Sequence, residues 1–152
     1  MHTRRTFIKK RSIKAGLPPG SLVHIGDTPA EEVAITLLGY SPTAFREEQY
    51  RQLDECLPHI THDGITWVNV EGVHDVEVIR RLGECHKFHP LVLEDIVNTV
   101  QRPKIEDYGD YLFIVLRMLK PTDNDEFTSE QLSIILGPDY IFTFQEGIKG
   151  DV

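Results

Sequence analysis

The sequence predicts an α/β fold, a three-layer sandwich in which a mixed central β-sheet of about six strands is flanked by helices and ends in an antiparallel meander. Two observations predict it. Over most of the chain, apolar runs of strand length alternate with segments of helical spacing. In the last third, residues 131–136 and 140–145 have the pattern of two strands joined by the hairpin turn Gly137-Pro138-Asp139. Alternation followed by a meander is typical of a mixed sheet with helices on its faces.

The N-terminal segment differs in charge from the rest. Residues 1–15 contain six of the 16 basic residues and no acid, which predicts a basic, disordered leader. A linker rich in proline and glycine follows, and we expect a single α/β domain over residues 16–152. The first elements of this domain are a short strand at residues 22–25 and a second strand at residues 33–40.

The middle of the chain predicts two helices around one strand. Helical spacing of apolar residues predicts a helix over residues 43–57, and clean alternation predicts a strand over residues 65–70. Asp75 is placed to cap a second helix. The buried stripe of that helix is predicted to consist of Val76, Ile79, Leu82 and Cys85.

A window from residue 89 to residue 119 combines three signals. Pro90 suits the first turn of a short amphipathic helix, where its missing N–H costs nothing. Pro103 ends the helical pattern, and an acidic turn containing Gly109 follows. The apolar run at residues 111–116 then predicts a strand buried on both faces, at the centre of a covered sheet.

Composition excludes several classes of protein. The chain has 152 residues, of which 40% are hydrophobic and 26% charged, as in ordinary soluble domains. It has no apolar run approaching the ~20 residues that span a bilayer and no secretory signal. Beyond the leader, ten basic residues face 24 acidic ones, a balance that repels nucleic acid and attracts cations. Cys56 and Cys85 are too few for a disulfide framework and are expected to be free thiols.

The acidic residues are the candidates for chemistry. Glu94 and Asp95 are adjacent near the end of the predicted short helix, and hard divalent cations prefer oxygen ligands. Two adjacent carboxylates do not complete a coordination shell, so a site here needs water or acids from elsewhere. The alternative is that both face solvent or pair with Arg102 and Lys104. Three further acids follow in the turn: Glu106, Asp107 and Asp110.

Other motifs are weak or missing. His59, His62, His86 and His89 are not spaced as zinc ligands on one helix, and no cysteine pair accompanies them. The sequence contains no nucleophile elbow and no dinucleotide fingerprint. A metal-dependent phosphohydrolase using the acids between residues 94 and 110 remains an alternative, although no general base with convergent ligands accompanies them. An interaction module without a ligand is another.

Several segments together resemble a known family. HPLVLEDIVN followed by QRPKIEDYGDYLFIVLRM is similar to the cytoplasmic N-terminal domain of the CorA family of magnesium and cobalt transport proteins. The likeness extends upstream and downstream, in the family's order, through GLPPGSLVHIGD, WVNVEGVHDVEVIRRLGECHKFHP and EQLSIILGPDYIFTFQEG.

The resemblance implies a function for the acidic pair. It implies a non-enzymatic domain that senses divalent cations, binds Mg²⁺ (Co²⁺ or Ni²⁺ as alternatives) between subunits and thereby favours the closed state of a channel. Carried over by position, Asp95 is the expected direct ligand and Glu94 its neighbour. The partner acid is expected on the long stalk helix of an adjoining subunit, beyond residue 152.

The resemblance also implies an assembly and a location. We expect a homopentamer at the cytoplasmic face of the inner membrane, attached only through C-terminal spans that this chain lacks. By itself the fragment is expected to be soluble, truncated before the stalk helix, and without a nucleic-acid partner. A zinc-transporting relative of the same family is the alternative to a magnesium and cobalt channel.

Overall fold

The computed structural model describes residues 16–25, 32–60, 64–121 and 126–147, so the predicted leader lies outside the described residues. Within them, seven strands form one sheet: β1 (Ala34–Tyr40), β2 (Phe45–Tyr50), β3 (Ile65–Glu71), β4 (Lys104–Asp107), β5 (Leu112–Pro121), β6 (Phe127–Leu136) and β7 (Tyr140–Gln145). The described helices are α1 (Leu53–Cys56), continued by a 3-10 turn at Leu57–His59, α2 (Val76–His86) and α3 (Pro90–Val97).

The strand order is β2-β1-β3-β7-β6-β5-β4, with β7 in the middle. Strands β3 and β7 are parallel, and every other pair is antiparallel. The α/β class, the mixed sheet and the β6–β7 hairpin predicted from the sequence are therefore confirmed.

One face of the sheet forms the core. A single row of fully buried side chains crosses five adjacent strands in register: Leu37, Val68, Phe142, Ile135 and Phe113. All three described helices pack on this face. The ring of His86 in α2 contacts Phe142 edge-on at 4.7 Å between ring centroids, and α3 is tied to β6 by a hydrogen bond.

The opposite face is partly covered, and Asn69, Thr143 and Gln145 on it are buried, with Thr143 and Gln145 both donating hydrogen bonds to Asn69. Its neighbouring row comprises Leu38, Trp67, Ile141, Leu136 and Leu112, each with appreciable exposure. The described residues therefore make two layers, the sheet and the helices on its first face. The second helical layer of the predicted sandwich is not formed within the described ranges.

Local sequence signals account for α2 and α3. The Asp75 carboxylate accepts hydrogen bonds from the backbone N–H groups of Glu77 and Val78, which satisfies two donors that the helix leaves unpaired. Pro90 occupies the first turn of α3, and Nδ1 of His89 accepts from the N–H of Leu91. Both predicted helix starts are confirmed.

The predicted helix over residues 43–57 is wrong for most of its length. Residues 45–50 form the edge strand β2, and only Leu53–Cys56 is α-helical. The Ser41 hydroxyl accepts from the N–H of Ala44, so it stabilises a turn between β1 and β2. Pairing with β1 overrides the helical preference of the acid-rich sequence.

The predicted positions of two other strands are also wrong. Residues 22–25 make only an isolated bridge, in which Ile25 pairs with Asn98. Residues 112–116 of the predicted run lie in β5, which is next to the sheet edge and in which alternate side chains of the run are buried. Strand β4 was not predicted, because its sequence resembles an acidic turn.

The two cysteines are free thiols, as predicted, and only one is buried. Cys56 has no exposed surface, and burial raises the pKa of its thiol to about 11. Cys85 is exposed, so its predicted place in the buried stripe of α2 is wrong. Ile79 and Leu82 of the predicted stripe are buried, together with Gly83.

Candidate cation site around Asp95

Asp95 lies in the last turn of α3, with 18% of its side chain exposed. A carboxylate at this end of a helix is next to unpaired carbonyl groups, whose partial negative charge disfavours it. The position therefore favours a neighbouring positive charge.

Lys104, the first residue of β4, supplies that charge. Its Nζ lies 2.6 Å from Oδ2 of Asp95 and 2.9 Å from Oε1 of Glu106, and 5.4 Å from the centroid of the Phe113 ring. Lys104 and Glu106 point to the same side because side chains on a strand alternate with a period of two. Burial opposes the charge on Lys104, but hydrogen bonds and attraction from the two carboxylates outweigh it and raise its pKa.

Amide side chains complete the surroundings of Asp95. Nε2 of Gln101 donates to Oδ1 of Asp95, and Nε2 of Gln131 donates to the Asp95 backbone oxygen at 3.0 Å. Gln131 is 2% exposed; it also donates to Oγ of Ser133 and accepts from the N–H of Gln101. The end of α3 is thus fixed to β6 through one buried glutamine.

Replacing Gln131 with alanine is expected to lower the free energy of unfolding by about 1–2 kcal/mol, because partly buried donors and acceptors lose their partners. Urea denaturation measures this loss. Gln49 is an exposed residue of the edge strand β2, and its replacement by alanine is the matched control, with an expected change below about 0.5 kcal/mol. Equal losses in the two variants would show that the buried amide network contributes nothing.

Glu94 has a different environment from Asp95. Its Oε2 accepts a hydrogen bond of 2.6 Å from the backbone N–H of Gly20, in the segment that crosses α3. Adjacent residues on a helix do not face each other. The two acids predicted as a pair therefore have separate partners within this chain.

Glu106 is the carboxylate that shares a partner with Asp95. Lys104 Nζ contacts both Oδ2 of Asp95 and Oε1 of Glu106. The distance between these two oxygens therefore cannot exceed the sum of their distances to Nζ. Carboxylate oxygens are the ligands that Mg²⁺ prefers, so the donor chemistry fits a divalent cation. Within the described ranges, no group of three or more His, Cys, Asp or Glu side chains could hold a metal ion, so the fit is to part of a site.

The described histidines do not assemble into a zinc site. The ring of His59 stacks on Tyr50, and Nδ1 of His86 lies 3.0 Å from the Leu82 carbonyl oxygen. Nδ1 of His89 is used in the cap of α3. His62 lies outside the described residues.

Comparison with known proteins identifies the family. The family model of the CorA-like Mg²⁺ transporter protein matches residues 62–149, more than half of the chain. The chain belongs to the CorA family. Because this family consists of transporters and not of enzymes, the phosphohydrolase alternative is not retained.

Two curated relatives agree with this assignment. The CorA-family chain is 44% identical over 145 residues to the cobalt/magnesium transport protein CorA of Thermotoga maritima. The aligned region covers 95% of this chain and 41% of that protein. It is 33% identical over 78 residues to the putative metal ion transporter YfjQ of Bacillus subtilis. This region covers 51% of this chain and 23% of that protein. The chain thus spans less than half the length of the curated relatives it matches.

Solved structures share the fold of the CorA-family chain. The soluble domain of CorA from Methanocaldococcus jannaschii superposes with a TM-score of 0.51 at 14% identity, covering 72% of this chain and 39% of that one. The full-length CmaX protein superposes with a TM-score of 0.56 at 13% identity, covering 78% and 36%. Among the described helices, none is both long and apolar enough to cross a membrane.

The sequence named Asp95 and also its pairing with Lys104, which is confirmed, but it did not reveal the contact that Lys104 makes with Glu106. Lys104 appeared only as a possible neutralising partner, and Glu106 only as one acid of a turn. Had residues 104–107 been recognised as a strand, the period of two would have placed Lys104 and Glu106 on the same side.

Proposed function

We propose that this chain is the cation-sensing regulatory domain of a CorA-like magnesium and cobalt channel. The observation that carries the proposal is the Asp95 carboxylate, which is partly exposed and lies where a positive charge is already stabilised. Family membership and the 44% identity to a cobalt/magnesium transport protein support it.

The mechanism follows from the incompleteness of the site. Asp95, with Glu94 adding negative charge nearby, contributes part of a coordination shell, and an acid of a neighbouring subunit in a homopentamer contributes the rest. Mg²⁺, or Co²⁺ or Ni²⁺ in its place, neutralises the opposed carboxylates and holds the subunits in the closed state. When the cation is scarce, repulsion between like charges loosens the interface and the channel opens.

In the cell, the proposal places the domain on the cytoplasmic face of the inner membrane. Its partners are other copies of the same protein and divalent cations. The membrane contact is made by C-terminal spans outside this chain, and nucleic acid is not a partner.

The test uses the full-length oligomeric protein, in which both halves of the site are present. Isothermal titration with Mg²⁺ is expected to show at least about tenfold weaker binding after Asp95→Asn and a smaller change after Glu94→Gln. Asp110 is an exposed acid in the nearby turn, so Asp110→Asn removes the same charge and is the matched control. Unchanged affinity in both Asp95→Asn and Glu94→Gln would disprove the proposal.

A further inference from the structure

The position of the Lys104 ammonium group indicates where a cation is stabilised in this fold. It contacts one oxygen of Asp95 and one of Glu106, and it lies over the face of the Phe113 ring. Carboxylates and an aromatic face are the surroundings that stabilise positive charge in proteins. The position therefore already functions as a cation site, with the cation supplied by the chain itself.

Three features make this internal cation exchangeable. Lysine is a point charge on a long flexible stem, without the rigid bidentate geometry of arginine. Strand β4 has only four residues and lies at the edge of the sheet, so no further described strand packs beside it on its outer side. The Lys104 side chain remains 27% exposed, which leaves room for its head group to move into water.

The other contacts in this region show which carboxylates would lose their partner if the Lys104 ammonium group moved away. If Lys104 moves away, Oδ2 of Asp95 and Oε1 of Glu106 lose their shared partner and face the same space. Glu94 is directed elsewhere, toward the N–H of Gly20. Two carboxylates that share one position repel each other unless a positive charge lies between them.

We propose that Lys104 is a tethered competitor of divalent cations at Asp95, and that Glu106 is the second carboxylate of this chain at that position. The inference rests on the proposed function and adds two residues to it. A divalent cation must displace a covalently held ammonium group, so Lys104 raises the concentration of metal at which the site fills. Glu106 then provides the carboxylate that the sequence assigned to Glu94.

The experiment uses this chain and Mn²⁺, whose paramagnetism broadens the NMR signals of nearby amides and so detects weak binding without the partner subunit. Competition by Mg²⁺ confirms that the broadening reports a site for hard cations. We expect Lys104→Met to lower the dissociation constant for Mn²⁺ by at least about fivefold, because it removes the competing ion pair. In that background, Glu106→Gln is expected to reverse most of the gain, and Asp95→Asn to abolish binding.

Arg102 provides the matched control for charge. It is exposed and lies two residues from Lys104, but it is not among the hydrogen-bond or ion-pair partners that the structure gives Asp95. Arg102→Gln removes the same charge from the same segment and is expected to change the dissociation constant by less than about twofold. An equal gain in Arg102→Gln would mean that general electrostatics, not competition, sets the affinity, and would overturn the inference.

The remaining outcomes separate the inference from the function on which it rests. If Lys104→Met binds Mn²⁺ no more tightly than the unmodified chain, or if neither binds at millimolar metal, Lys104 is not a competitor. If Glu106→Gln leaves the affinity of Lys104→Met unchanged, Glu106 is not a ligand. Each of these results leaves the proposed intersubunit site at Asp95 intact, whereas unchanged Mg²⁺ binding by Asp95→Asn in the full-length oligomer removes that site itself.

Discussion

Replacing Phe142 with alanine is expected to lower the free energy of unfolding by about 3–5 kcal/mol. Phe142 lies in β7, the middle strand, and has no exposed surface. Its ring contacts His86 and Phe88 edge-on, with centroid distances of 4.7 and 5.2 Å, so truncation leaves a cavity where the sheet meets the helices.

Urea denaturation followed by tryptophan fluorescence measures the effect. Trp67 is the single tryptophan, and it pairs in register with Ile141, the residue next to Phe142. Phe127→Ala is the control, because this phenylalanine is 70% exposed and its loss should cost less than about 0.5 kcal/mol. If the alanine variant does not fold, Phe142→Leu still gives a graded value, expected to be about 1–2 kcal/mol. A loss below about 1 kcal/mol for Phe142→Ala would contradict the central role of this ring.

Replacing Gly64 with alanine is expected to cost about 2–4 kcal/mol, through two separate penalties. The backbone of Gly64 has a φ of 100°, a region that residues with a side chain rarely adopt. An added Cβ would also lie 2.2 Å from the carbonyl oxygen of Tyr40, a backbone atom held in the β1–β3 pairing. The backbone at Gly64, directly before β3, would have to move.

A substitution at Gly109 measures the conformational penalty without the steric one. Its φ is 85°, but an added Cβ would meet no atom within 4 Å. Gly109→Ala should therefore lose only the conformational part, about 1–2 kcal/mol. Thermal and urea unfolding of the two variants give the comparison, and a larger loss at Gly109 than at Gly64 would contradict the steric argument.

Much of the fold could be predicted because its central elements carry strong local signals. Strand β3 alternates, the β6–β7 hairpin has an unambiguous turn, and α2 begins at a carboxylate cap. These signals depend on burial on one face or on local hydrogen bonds, which leave a pattern in the sequence.

The edges of the sheet could not be predicted for the opposite reason. Strands β2 and β4 each have a single neighbouring strand, and their charged side chains alternate between partly buried and exposed. Their sequences therefore resemble a helix and a turn, and only pairing with β1 and β5 makes them strands. The strand at residues 111–116 was misplaced because an apolar run does not reveal whether the second face is covered.

The candidate site was predictable only as a position along the chain. The family resemblance pointed to Asp95, and neighbouring acids in the sequence suggested Glu94 as its companion. Glu94 accepts a hydrogen bond from the N–H of Gly20. Asp95 and Glu106 instead form ion pairs with the same ammonium group, that of Lys104. The pairing of Asp95 with Lys104 was among the alternatives, but the approach of Glu106 depends on β4 being a strand, which the sequence did not reveal.

The charges on the two outermost strands limit how copies of this chain can associate. Glu47 and Glu48 on β2, and Glu106 and Asp107 on β4, oppose the addition of a further backbone at either end of the sheet. Joining two protomers into one continuous sheet would bring like charges together along the seam. Edge-to-edge pairing with a second sheet is therefore disfavoured, and we expect the sheet to end at β2 and at β4.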